Sequence, residues 1–171
     1  MNNAIKWAGI MAVALILMGL VYYLTGMTDP ETGESGWLNG LLSYVISVGA
    51  IVMGIIAYKK QNEEYLSVGQ GVSQGLLIGL FAGLLMGIWT FVFFSFIDPE
   101  MMEMMRENAL SQTGDVDEDQ EEMMSAIFGA IFTPVTMGIM VIVMKVFLGL
   151  LVGLATGLII KSDRPVEFLD S

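Results

Sequence analysis

The residue types present limit the chemistry before any fold is considered. The chain of 171 residues contains no cysteine and no histidine. A thiol nucleophile, a thiolate metal site and an imidazole base are therefore excluded. Lys145 is the sharpest remaining feature, the one ionisable residue well inside an apolar run, between Met144 and Val146. A charge at membrane depth is a functional candidate by default. If Lys161 marks the inner boundary, Lys145 lies about 24 Å along the helix, roughly 6 Å short of the far side of a ~30 Å hydrocarbon core. Its stem leans towards the helix N-terminus. The expectation is a lysine that snorkels to the outer headgroups or pairs with an outer acid. An anion-facing lysine is the alternative.

The other charged groups offer less. Asp115-Val116-Asp117-Glu118-Asp119-Gln120-Glu121-Glu122 starts with calcium-loop spacing. Gln120 stands where such a loop needs glycine, however, and Ala126 where it needs a bidentate glutamate. A solvated charge run is the better reading, with no metal and no cofactor expected. Serine and lysine do not converge at helical spacing within an apolar run, and the carboxylates cluster in a polar segment. The chain is expected not to be an enzyme. A net charge of −11 also argues against a nucleic-acid partner.

These groups must be positioned by helices with an unusual glycine pattern. Gly71, Gly75, Gly79, Gly83 and Gly87 form an unbroken every-fourth-residue ladder, and Gly149, Gly153 and Gly157 form a second. In a soluble helix each glycine costs about 1 kcal/mol against alanine. In a membrane, small residues four apart let a neighbouring backbone approach closely. Two uses are open: contact between the two ladder helices, or a homo-oligomer interface. Asn39, Ser43 and Ser47, continued by Ala50 and Gly54, form a small polar face on another run, suited to interhelical hydrogen bonds.

The composition is 55% hydrophobic and only 15% charged, with the charge lying between the apolar runs. Soluble domains carry about 25% charged residues. Four runs approach or exceed the ~18 residues that suggest a membrane span. They cover about 8–24, 38–57, 72–97 and 134–160. The first, flanked by Trp7 and by Tyr22 and Tyr23, reads as an uncleaved span rather than a signal peptide. The fold class predicted is an all-α four-transmembrane-helix bundle forming a single membrane domain over 1–171.

Local signals set the boundaries. Ser67-Val68-Gly69-Gln70 has capping-box spacing, so the third helix should start near Val68. Asp98-Pro99 can cap and open a new helix. In it Met101, Met102, Met105 and Ala109 gather on one side and Glu100, Glu103 and Glu107 on the other, as in a helix lying on a membrane surface. This belongs to an acidic outer segment over 98–133. Thr133-Pro134 either caps a fresh helix or kinks a long one. Residues 165–171 read as a frayed tail.

Basic residues give the orientation. Lys6, Lys59, Lys60, Lys161 and Arg164 fall on one side of the four spans, and Arg106 alone on the other. Both termini are expected in the cytoplasm.

With four spans placed, the chain resembles a bacterial family of small four-span membrane proteins known as domain-of-unknown-function family 4199. The matching pieces are Met1-Asn2-Asn3-Ala4-Ile5-Lys6-Trp7, Tyr58-Lys59-Lys60-Gln61-Asn62, Tyr65-Leu66-Ser67-Val68-Gly69-Gln70, Phe93-Phe94, Ile97-Asp98-Pro99-Glu100 and Thr133-Pro134. Their order and spacing carry the resemblance across nearly the whole chain. The family pattern favours glycine where this chain has Glu63 and Glu64. The resemblance implies a bacterial inner-membrane location and no particular chemistry. The expected role is structural or accessory, binding the bilayer and either another membrane protein or a second copy. The alternative is a small-solute or ion conduit that uses Lys145 and the polar face of the second span.

Overall fold

The structure, a computed structural model, describes residues 2–112 and 117–162. Six α-helices follow one another: α1 (Asn2–Leu24), α2 (Gly36–Gln61), α3 (Val68–Val92), α4 (Pro99–Ser111), α5 (Glu118–Ile131) and α6 (Pro134–Ile160). A π-helical turn, Phe93–Ile97, prolongs α3. The helices Asn2–Leu24, Gly36–Gln61, Val68–Ile97 and Pro134–Ile160 are each long and apolar enough to cross a membrane. The protein is an all-α, four-span membrane bundle.

The capping chemistry sets the boundaries as the local sequence requires. Ser67 Oγ accepts from the Gln70 N–H at 3.2 Å, and Gln70 Oε1 accepts from the Ser67 N–H at 2.9 Å, a complete capping box. Asp98 Oδ1 accepts from the Met101 N–H at 3.0 Å, with Pro99 at the first helical position. Thr133 caps α6 through the Thr136 N–H at 3.1 Å, so Thr133-Pro134 starts a new helix rather than kinking a long one.

Two helices extend past their apolar runs. α1 begins at Asn2 rather than near residue 8, because its first turn is packed against protein. Asn3 Nδ2 donates to the Gly54 carbonyl at 2.7 Å, and Ala4 is fully buried. α2 covers 36–61 rather than 38–57. Hydropathy marks the part of a helix that suits lipid, whereas packing and caps decide where the helix stops.

α3 lies at the centre and packs against α1, α2 and α6. On the α1 and α2 side the core consists of side chains: Ala4, Ala8, Met11 and Leu15 against Ala50, Ile51, Ile55, Ile78 and Ala82. Ala4, Ala8 and Ala12 repeat every fourth residue, all buried, and let α1 come close. At the end where α6 finishes, α2 and the α2–α3 connection bond to its last residues. Lys59 Nζ donates to the Ile160 carbonyl at 2.9 Å, placing a cation at the negative end of α6. Leu66 and Ser162 exchange both backbone hydrogen bonds, at 3.0 and 2.9 Å, and so tie the α2–α3 connection to the end of α6.

At the opposite end α4 is docked onto the protein. Met101 and Met102 are buried, and the Met105 side chain lies against Gly33 of the α1–α2 connection. Asn108 Nδ2 donates to the Glu31 carbonyl at 3.1 Å. The apolar side expected to meet a membrane surface is thus covered in part by the chain's own first loop. Periodicity shows that a face is apolar but not what covers it. Asp115, Val116, Asp163, Arg164 and the expected tail at 165–171 lie outside the described residues.

Candidate functional site

The two glycine ladders face each other. A Cβ built on Gly71 would sit 2.7 Å from the Gly157 Cα, one on Gly83 3.0 Å from the Ile142 Cα, and one on Gly87 2.8 Å from the Gly138 carbonyl oxygen. From the α6 side, a Cβ on Gly153 would meet the Gly71 carbonyl oxygen at 2.9 Å, and one on Gly157 the Val68 carbonyl oxygen at 3.0 Å. Between these pairs Gly75 lies against Gly149 and Gly79 against the Lys145 carbonyl. α3 and α6 are antiparallel and in backbone contact from end to end. Gly138 completes the α6 face. The sequence reading missed it because Ile142 and Lys145 interrupt the four-residue repeat between Gly138 and Gly149. Since the ladders fill each other, self-association would require some other face.

This contact fixes where Lys145 points. A Cβ on Gly83 would lie 3.3 Å from the Lys145 Cβ, so Lys145 stands on the α3-facing side of α6. Its side chain turns to α2, and Nζ donates to Ser47 Oγ at 3.1 Å. The Ser47 hydroxyl gives its own proton to the Ser43 carbonyl at 2.7 Å. That leaves its oxygen lone pairs for the ammonium. Ser47 is 1% exposed. The expectation that Lys145 snorkels to the outer headgroups or pairs with an acid is therefore corrected. Sequence gives depth along a helix, but rotation about its axis is set by the ladder. A lysine inside the bundle takes the nearest fixed acceptor.

The polar face of α2 divides into parts with different surroundings. Ser47, Ala50 and Gly54 are buried. At Gly54 the close neighbours are the Ile78 and Trp7 side chains rather than a helix backbone. Asn39 Oδ1, nearer the start of α2, is buried and has no hydrogen-bond partner. Gln74 Oε1 on α3 is likewise buried and unpaired, with Gln74 itself 6% exposed. Of the acidic stretch, Asp117 caps α5 by accepting from the Gln120 N–H at 2.9 Å. Among the described residues no group of three acidic side chains could hold a metal ion.

Residues 6–162 match the family model described as "Protein of unknown function (DUF4199)". The chain belongs to that family. No curated protein and no solved structure matches it. Three of the pieces that carry the resemblance, Ser67–Gln70, Asp98-Pro99 and Thr133-Pro134, are helix-capping junctions in the structure.

A second feature of the DUF4199 chain escaped the sequence reading. A cavity of about 190 Å³ opens where α1 ends, walled by Tyr23, Trp89, Phe93 and Phe94 and edged by Thr28 and Ser35. The aromatic rings hold one another edge-on: Tyr23 and Phe93 have centroids 5.0 Å apart, and Phe93 and Phe94 5.3 Å apart. Tyr23 Oη donates to Asp98 Oδ2 at 2.9 Å. The sequence signal was present as aromatics near the end of a span. Such residues read more simply as interfacial anchors.

Proposed function

We propose that the protein is a non-catalytic structural or accessory component of a bacterial inner membrane. Both termini are in the cytoplasm, and the protein binds another membrane protein. The observation that carries this reading is the Lys145–Ser47 hydrogen bond. The one charge well inside an apolar run is used as an interhelical tie between α6 and α2, a role polar groups take in membrane bundles. The end-to-end backbone contact of α3 with α6 gives the bundle a rigid stem. The side of α2 away from that stem exposes Trp37, Leu41, Tyr44 and Val45, available to lipid or to a partner.

The test is a photo-crosslinking residue placed at Leu41 or Val45 in native membranes. A discrete protein adduct, recurring between preparations and lost when the partner is deleted, supports the reading. Lipid adducts alone from every exposed position of α2 would count against it.

One observation favours a second reading, a small-solute or ion conduit. Among the described residues Lys145 has no carboxylate partner, and Asn39 Oδ1 is unpaired on the same face of α2 as Ser47. In proteoliposomes, an anion flux abolished by Lys145→Leu with folding intact would promote the conduit over the accessory role.

A further inference from the structure

We propose that the aromatic-walled cavity at the end of α1 binds an alkylammonium group. The walls suit such a ligand. Tyr23, Trp89, Phe93 and Phe94 surround one space, and the negative faces of aromatic rings attract an organic cation, most strongly when it is shielded from water. The volume is adequate, since about 190 Å³ exceeds the ~150 Å³ of a protein cavity that accepts benzene.

A carboxylate stands directly behind the wall. Asp98 is one hydrogen bond away from the cavity through Tyr23. With its proton donated to Asp98, the phenol oxygen is polarised towards negative charge and remains an acceptor. Asp98 is itself held in place by capping Met101, so the acid does not have to reorganise to face a cation.

The backbone is shaped for this cavity. The Asp98 N–H donates to the Phe93 carbonyl at 2.9 Å, five residues back, and this wide turn carries Phe93 and Phe94 into the wall. π-turns inside α-helices occur frequently at functional sites. The surroundings favour cations as well. Glu31, Glu34, Glu100 and Glu107 are exposed at this end of the bundle, and Arg106 of α4 is paired with Glu103. A site among acids gains ligand by electrostatic attraction.

The ammonium could come from a soluble amine or from a lipid headgroup, and the experiment separates the two. Choline is titrated calorimetrically into the purified full-length protein, alongside its uncharged carbon analogue 3,3-dimethylbutan-1-ol. Saturable choline binding is expected, with the analogue weaker by about tenfold or more. Equal binding of the two, or no saturable choline binding, overturns the proposal. Trp89→Leu should remove the preference for the cation. Asp98→Asn keeps an N-cap residue, so that helix α4 stays formed while the charge is lost. It should weaken choline and leave the neutral analogue unchanged; undiminished choline binding by a folded Asp98→Asn protein also overturns the proposal. The titration is then repeated in nanodiscs with and without phosphatidylethanolamine. Weaker apparent choline affinity in its presence supports the site with the lipid headgroup as occupant. Unchanged affinity supports it with a soluble amine.

Discussion

A Cβ on Gly75 would fall on the carbonyl oxygen of Gly149, and a Cβ on Gly149 would fall on the carbonyl oxygen of Gly75. The two residues make a reciprocal backbone contact at the middle of the α3–α6 stem. Neither helix can relieve an added methyl by turning a side chain, because backbone meets backbone.

Gly75→Ala and Gly149→Ala should therefore each destabilise the bundle, by about 1–3 kcal/mol as for overpacked cores. Gly40→Ala and Gly49→Ala in α2 are the controls, since a Cβ at either meets nothing within 4 Å. They should be neutral or stabilising by up to about 1 kcal/mol through helix propensity. Heat-aggregation midpoints in detergent would compare the four. Equal loss at all four positions would show that the contact has no special weight.

The Lys145–Ser47 pair calls for a double-mutant cycle. Interhelical hydrogen bonds in membranes are worth about 0.6 kcal/mol, reaching about 1.7. Ser47→Ala should cost that or more in the wild type, since it leaves the ammonium without its acceptor. In a Lys145→Leu background the same change should cost close to nothing. Lys145→Leu alone should be mild, because it removes a charge from an expensive place. Additive losses would mean that the two side chains do not interact.

Glu63 and Glu64 both adopt left-handed backbone, with φ of 56° and 65°. A side chain in that conformation costs roughly 1–2 kcal/mol. Glu64→Gly should therefore raise stability by about 1 kcal/mol, while Tyr58 to Leu66 keep their fold. A fall in the thermal midpoint would show that the turn does not carry that strain.

The orientation proposed from basic residues predicts a labelling pattern. In intact spheroplasts an impermeant thiol reagent should modify cysteines placed at Glu34 and Asp117 and spare one at Gln61. Modification at Gln61, or protection at both other sites, would reverse or break the arrangement.

The sequence alone determined the number of spans, the capped starts of α3, α4 and α6, and the glycine stripes that line the stem apart from Gly138. Each of these is local. Hydropathy sums over neighbours in the chain, Ser67, Asp98 and Thr133 bond to groups three residues away, and glycine spacing marks one stripe of one helix. Tertiary structure decided which stripe meets which. The direction of Lys145, the burial of Met101 and Met102, and the joining of Leu66 to Ser162 depend on rotation of one helix about its axis relative to another. Depth can be counted in residues along a single chain. Rotation is fixed only when two backbones touch, here Gly75 on Gly149. The same limit concealed the cavity, because Tyr23 on α1 and Phe93 on the π-turn become neighbours only after the helices pack.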